Sequence, residues 1–151
     1  MKIKNVSQIE KFSIRVANNL DFDDCIFLFG EIGVGKTTFV RYLINYLEKQ
    51  NNIKESHVLS PTFNIVYDYY VKSYKFMHYD LYRIKSIGYL EQLGIFEDKK
   101  KSIKIIEWPE LITNKIKDRL ELYFSYEKEL DSRYIKILGF GKWKGFHSNE
   151  I

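Results

Sequence analysis

Residues 30–37, Gly-Glu-Ile-Gly-Val-Gly-Lys-Thr, fit the pattern G-x-x-x-x-G-K-[ST], and no other segment constrains the fold as strongly. The glycines let successive backbone N–H groups curl inward toward one anion. Lys36 adds a point charge for the β- and γ-phosphates of a nucleotide, and the Thr37 hydroxyl can join the shell of a Mg²⁺ ion. A helix that opens at this point aims its positive end at the same phosphates. This is the Walker A loop, and its setting makes it specific. Residues 25–29, Cys-Ile-Phe-Leu-Phe, are a short apolar run suited to a strand buried on both faces. After the loop, Phe39, Val40, Leu43, Ile44 and Leu47 recur at helical spacing. Strand, glycine-rich loop and helix in that order predict a phosphate cradle over Glu31, Ile32, Gly33, Val34, Gly35, Lys36 and Thr37. Thr38 is either an α-phosphate contact or only a helix residue.

The rest of the chain turns strand-rich. Before the loop, Ser7 and Glu10 form a capping box for a helix over about 7–19, with Ile9, Phe12, Val16 and Leu20 on one face. After it, Phe63–Val71 and Lys75–Asp80 flank Lys72-Ser73-Tyr74 and predict a hairpin. Residues 86–93 fit a short helix ending at Gly94, and Ile103–Glu107 another buried strand. Leu120–Tyr126 and Tyr134–Phe140 predict two late strands joined by the polar stretch 127–133. This order points to an α/β fold, a P-loop NTPase with a mixed parallel/antiparallel sheet flanked by helices. One domain over 1–151 is expected, with a fraying tail from about residue 141, where Gly141 and Gly145 follow Gly139.

Composition narrows the class further. Apolar residues are 45% of the 151, enough to build a core. The 12 Tyr, 11 Phe and 2 Trp belong mostly to core and sheet surface. A formal charge of +4 permits contact with nucleic acid or an acidic protein without demanding either. One cysteine, Cys25, cannot staple the chain to itself, so a reducing compartment and a buried, inert thiol are expected. No apolar stretch is long enough for a membrane span and no signal peptide is visible, which predicts a cytoplasmic protein.

A P-loop enzyme needs a carboxylate at the end of a neighbouring strand to organise its metal and water. Asp80 ends Phe76-Met-His-Tyr-Asp, and Glu107 ends Ile103-Lys-Ile-Ile-Glu; either can serve. In Ser60-Pro-Thr62-Phe, Pro61 holds Ser60 extended, and Thr62 can reach the γ-phosphate and metal as switch threonines do, or can simply begin a strand. Trp108-Pro109 after Glu107 either packs the core or faces a partner. His78 is expected to be structural, and Lys99–Lys101 a solvated face.

The base is read by elimination. Asn114-Lys-Ile-Lys117 has Lys where a guanine reader needs Asp, and Asp80-Leu-Tyr-Arg83 has Arg where a GTPase switch needs Gly. ATP is therefore the expected nucleotide. A small-molecule kinase is the alternative, weakened because the five arginines, at 15, 41, 83, 119 and 133, form no lid.

Four motifs occur in order: Gly-Glu-Ile-Gly-Val-Gly-Lys-Thr-Thr at 30–38, Ser-Pro-Thr-Phe at 60–63, His-Tyr-Asp-Leu-Tyr-Arg at 78–83 and Ile-Glu-Trp-Pro-Glu at 106–110. Together they closely resemble the bacterial TsaE family, also called YjeE, over nearly the whole chain. The resemblance implies an atypical mixed-sheet P-loop fold and an ATPase needed for threonylcarbamoylation of the adenosine beside the anticodon in tRNAs reading codons that start with A. It implies work with a TsaD–TsaB pair, which performs the transfer and which the ATPase resets, so that tRNA is met only indirectly. Carried over by position, Lys36 and Thr37 resemble the phosphate and Mg²⁺ residues and Glu107 the second metal-linked residue. Asp80 resembles the Walker B-like acid, Thr62 the switch-like threonine, and Arg133 a basic residue near the nucleotide. Ile9 stands where the family often has a Thr in its first helix.

Overall fold

Residues 25–29 are apolar at every position, and a strand of that kind must be covered on both sides. The computed structural model, which describes residues 1–97, 101–112, 116–127 and 132–147, puts this strand at the centre of a seven-stranded sheet. In chain order the strands are β1 (Lys2–Ile3), β2 (Cys25–Phe29), β3 (Val66–Val71), β4 (Tyr74–Asp80), β5 (Ser102–Glu107), β6 (Arg119–Tyr126) and β7 (Arg133–Phe140). Their spatial order is β1-β7-β6-β2-β5-β4-β3. The middle is parallel, with β2 between β6 and β5, and β5 beside β4. Both flanks are antiparallel, through β3–β4 on one side and β6–β7 and β1–β7 on the other. The mixed sheet is therefore as the sequence predicts.

The period-two alternation of β2 divides the core. Ile26 and Leu28 face one side, where they join Phe12, Val16, Phe39, Val40, Leu43 and Ile44. Those six come from α1 (Val6–Ala17) and α2 (Lys36–Gln50). Cys25, Phe27 and Phe29 face the other side with Met77, Tyr79, Ile106 and Leu90, the last from α3 (Ile87–Gln92). Phe39, Val40, Leu43 and Ile44 are fully buried, each worth about 1.5–3 kcal/mol of transfer free energy. Truncating Phe39, whose ring lies 5.7 Å from that of Phe12, would cost about 3–5 kcal/mol.

Several local expectations are corrected. The first helix is capped by Asn5, whose side chain accepts from the Gln8 N–H at 3.1 Å, so Ser7 and Glu10 lie inside the helix and form no capping box. The hairpin's first strand begins at Val66, not Phe63. The chain from Pro61 to Ile65 is a turn closed by the Ile65 N–H on the Pro61 carbonyl, with Ile65 at φ 68° and Phe63 84% exposed. The expected tail is also ordered through residue 147. A 3-10 turn, Gly141–Trp143, brings Trp143 back to 3% exposure, with its indole N–H directed to Asp24 at 3.3 Å and its ring edge-on to Phe146. The glycines suggest fraying, but the one large aromatic between them finds a place in the core. Residues 148–151, Lys99, Lys100 and Asn114, and the middle of the 127–133 stretch lie outside the described residues.

Candidate nucleotide site

Parity along the strands determines what can meet beneath the loop. Phe76, Ile103 and Ile105 point to the side of the sheet that carries α1 and α2. His78 and Asp80 on β4, and Glu107 on β5, have the same parity, so they face the side where α2 begins. The parallel register sets Asp80 beside Glu107, and Glu107 beside Leu28 of β2. Two carboxylates thus stand at the C-terminal edge of the sheet, next to the loop that leaves β2. Ligands of open α/β sheets bind outside this edge.

The loop is built for close backbone approach. Gly30 has φ 133°, and a Cβ there would stand 2.4 Å from the Phe124 carbonyl oxygen of β6. Gly35, at φ 116°, caps α2 with no side-chain hydrogen bond, so the first N–H groups of the helix point out uncapped. Val34 is fully buried and Ile32 is exposed. A cleft of about 380 Å³ opens over the loop. Ile32, Gly33, Gly35, Lys36, Thr37 and Thr38 line its floor, and Ser60, Thr62, Phe63, Asp80, Tyr82, Glu107 and Trp108 its walls.

Within the cleft the polar side chains are already joined. Thr37 Oγ1 donates to Glu107 Oε1 at 2.9 Å, and His78 Nε2 meets the same oxygen at 2.9 Å. Thr62 Oγ1 and Ser60 Oγ both donate to Asp80 Oδ2, at 2.6 and 2.9 Å. The second oxygen of Asp80 accepts the Tyr82 N–H at 2.9 Å. The Ser-Pro-Thr segment is brought here by Glu48 and Arg41 of α2. Glu48 accepts from the Ser56 N–H at 2.7 Å, and Arg41 Nε donates to the Val58 carbonyl at 3.2 Å.

Lys36 lies folded back on its own loop. Its ammonium donates to the carbonyls of Gly30 and Glu31 and sits 4.3 Å from the centre of the Trp108 ring. Burial pulls its pKa below the ordinary 10.5, opposed by the charges of Glu107, Asp80 and Glu110. Trp108 holds this position at a strained backbone angle, φ 57°, one residue before a proline. A non-glycine residue in that region costs about 1–3 kcal/mol, and such strain clusters at functional sites. The sequence left Trp108 to the core or to a partner; it packs half-buried against the core on the Phe27 side of the sheet and also forms a wall of the cleft, with its ring 4.8 Å from that of Tyr82.

Thr62, Asp80, Glu107, Lys36, Thr37 and Thr38 are therefore together in one cleft. Glu31 and Val34 belong to the same loop, with the Val34 N–H on the Glu31 carbonyl at 3.4 Å, but do not line the cleft. Arg133 does not line the cleft. Its guanidinium lies 5.5 Å from the centre of the Tyr126 ring, and its side chain comes within 4.0 Å of where a Gly35 Cβ would stand. His78 is the member that the sequence reading left as structural. Its signal was available: it stands two residues before Asp80 on a strand, hence on the same face. Ser60 could have been found by its place beside Thr62 across Pro61.

The donor set fits a magnesium ion. Mg²⁺ takes few protein oxygens and retains waters, and here a hydroxyl and a carboxylate meet at the foot of the phosphate loop. No cluster of three or more His, Cys, Asp and Glu side chains suited to a metal occurs among the described residues. Glu107 Oε2 makes no hydrogen bond among the described residues, so one oxygen of that carboxylate is left to face the cleft.

Known proteins resemble this chain in sequence and in fold. A Rickettsia felis protein named tRNA threonylcarbamoyladenosine biosynthesis protein TsaE is 34% identical over 110 residues, 73% of this chain and 62% of that protein. The chain thus spans somewhat under two thirds of that relative's length. An Aquifex aeolicus protein of the same name is 37% identical over 100 residues, 66% of this chain and 68% of that one. The crystal structure of Bacillus subtilus YdiB superposes with a TM-score of 0.71 at 21% identity, covering 94% of this chain and 85% of that one, which shows a shared fold. The family described as threonylcarbamoyl adenosine biosynthesis protein TsaE matches residues 3–135, and with that span the chain belongs to the TsaE family.

Proposed function

We propose that this chain is an ATPase of tRNA threonylcarbamoyladenosine biosynthesis, acting with a TsaD–TsaB pair in the cytoplasm. The observation that carries the ATPase reading is the hydrogen bond from Thr37 to Glu107 at the foot of the phosphate loop. It joins the loop's metal-facing hydroxyl to the acid of a neighbouring strand, the pairing that phosphoryl-transfer sites of this class use. The pathway rests on family membership.

In this reading the backbone N–H groups of residues 31–38 and the Lys36 ammonium bind the triphosphate. Lys36 first leaves the carbonyls of Gly30 and Glu31 for the phosphate oxygens. A bound Mg²⁺ would neutralise charge on the β- and γ-phosphates. Thr37 and Glu107 are the residues that would hold that ion's shell. Asp80 orients water through its own carboxylate once Thr62 and Ser60 turn from it toward the nucleotide. Arg133, whose side chain lies beside Gly35, steadies that turn of the loop. No helix among the described residues is long and apolar enough to cross a membrane.

The cleft rim supports dependence on a partner. Ile32, Phe63 and Tyr82 are exposed around it, and Phe63 carries the Arg83 guanidinium 5.3 Å from its ring centre. Exposed aromatics with an arginine are the usual substance of a protein-binding surface. The isolated chain should hydrolyse ATP slowly, and partner docking should accelerate it. Steady-state phosphate release with and without excess TsaD–TsaB tests this. Fast turnover indifferent to the partners would return the kinase or autonomous-ATPase reading.

A further inference from the structure

His78 is fully buried in the middle of β4, yet it is a polar ring with one nitrogen unserved. Its Nδ1 has no hydrogen-bond partner, and an orphaned polar atom in a core is a standing cost. Phe76 precedes it on the same face, and Ile105 of β5 lies opposite in register. A leucine would fill this setting with no unpaired polar atom. Packing therefore does not account for a histidine here; its Nε2 contact does.

That contact is 2.9 Å to Glu107 Oε1, the same oxygen that receives the Thr37 hydroxyl. A carboxylate only accepts, so the ring presents Nε2–H. Nδ1 makes no hydrogen bond of its own. Two donors from two elements, a strand and a helix start, converge on one oxygen. The carboxylate can no longer rotate about its final bond without losing both. Its other oxygen is thereby aimed at the cleft, where the reading proposed above needs it.

We propose that His78 is a positioning residue for hydrolysis: it fixes the rotamer of Glu107 from below, as second partners of metal-linked side chains commonly do. The inference rests on the role proposed for Glu107. It concerns turnover and not nucleotide affinity, since the phosphates are held by the loop and Lys36.

Three variants test it: His78→Leu, which keeps bulk and removes both nitrogens; His78→Gln, whose amide nitrogen reaches about the Nε2 position; and His78→Asn, whose amide ends near Nδ1. Melting temperature, Mg-ATP affinity and single-turnover phosphate release are measured for each, with Glu107→Gln alongside. We expect His78→Leu to melt no lower than the parent and to bind Mg-ATP within about threefold, while turnover falls at least tenfold, in the range that outer partners of site residues contribute. His78→Gln should recover most of the rate and His78→Asn should not. A folded His78→Leu with unchanged turnover, or equal rates for the Gln and Asn variants, overturns the proposal. Parallel loss of melting temperature and rate in all three assigns His78 to the fold alone and also overturns it. Intact turnover in Glu107→Gln would instead remove the role of Glu107 itself, a separate failure that this control makes visible.

Discussion

Thr37 and Glu107, seventy positions apart in the chain, share a 2.9 Å hydrogen bond across the mouth of the sheet. One comes from the first turn of a helix and the other from the last residue of a parallel strand. Glu107→Ala should therefore lower ATP turnover far more than nucleotide affinity, by about 10²-fold or more against a few-fold, because the loop's N–H groups and Lys36 remain. Asp80→Ala should behave similarly and also loosen the Ser60–Thr62 segment, which would be visible as faster amide exchange there. Equal losses of affinity and turnover would reassign these acids to binding or folding.

Mg-ATP should raise the melting temperature. At about 100 times its dissociation constant, a ligand specific to the folded state contributes about 2.7 kcal/mol, or roughly 5–10 °C for a chain of this size. Lys36→Ala should remove most of that shift. ATP should also outcompete GTP; tenfold tighter GTP binding would contradict the sequence argument from Arg83 and Lys117.

The Lys36 ammonium is held by burial below its ordinary pKa of 10.5. Its proton is lost earlier on the alkaline side than that of a surface lysine. Affinity for Mg-ATP should accordingly decline as pH rises toward 10.5, while the ligand-free protein gains stability from the same group, because the unfolded chain binds more protons in that window. Titrating affinity between pH 7 and 10 checks the sign. A flat profile would mean that the charge is secured by its acidic neighbours.

Trp108 should report ligand binding. Lys36 sits 4.3 Å from the centre of its ring and must move to meet phosphate, whereas Trp143 is buried at the other end of β2, beside Asp24. Nucleotide should change the indole emission of the parent and leave Trp108→Phe unchanged. The same response in Trp108→Phe would place the moving part elsewhere.

Cys25 should resist thiol reagents in the folded state. Burial pushes its thiol up to about 12, and the side chain is 3% exposed. Labelling at pH 8 should proceed only with unfolding; rapid labelling of native protein would mean that the first residues of β2 open readily.

How much of this was written in the sequence depended on distance along the chain. The phosphate loop was legible because its geometry is local: glycine positions, a strand before and a helix after. β2 and β5 were legible because both faces are covered, which makes β2 apolar at every position and gives β5 the run Ile103, Ile105 and Ile106. The helix cap was misread because Ser7 and Asn5 are both able caps, and only backbone angles choose between them. β1 has two residues and exists only through pairing with β7, so no periodicity could announce it. Trp143 and His78 were missed for one reason. Each is explained by a partner far away, Asp24 in one case and Glu107 in the other, and a pattern of neighbours carries no trace of such a pairing.

The position of β2 has a consequence for synthesis. It is made early and sits at the centre, yet its two hydrogen-bonding neighbours, β5 and β6, are made only in the final third of the chain. A ribosome therefore releases Cys-Ile-Phe-Leu-Phe into solution long before anything can pair with it. Until residue 107 has emerged, the nascent chain carries an apolar segment with both edges open, and until residue 126 one edge stays open, the kind of stretch that chaperones hold and that aggregates when they do not. Codon-level slowing between residues 50 and 100 would lengthen that exposure, and the yield of soluble protein should fall with it.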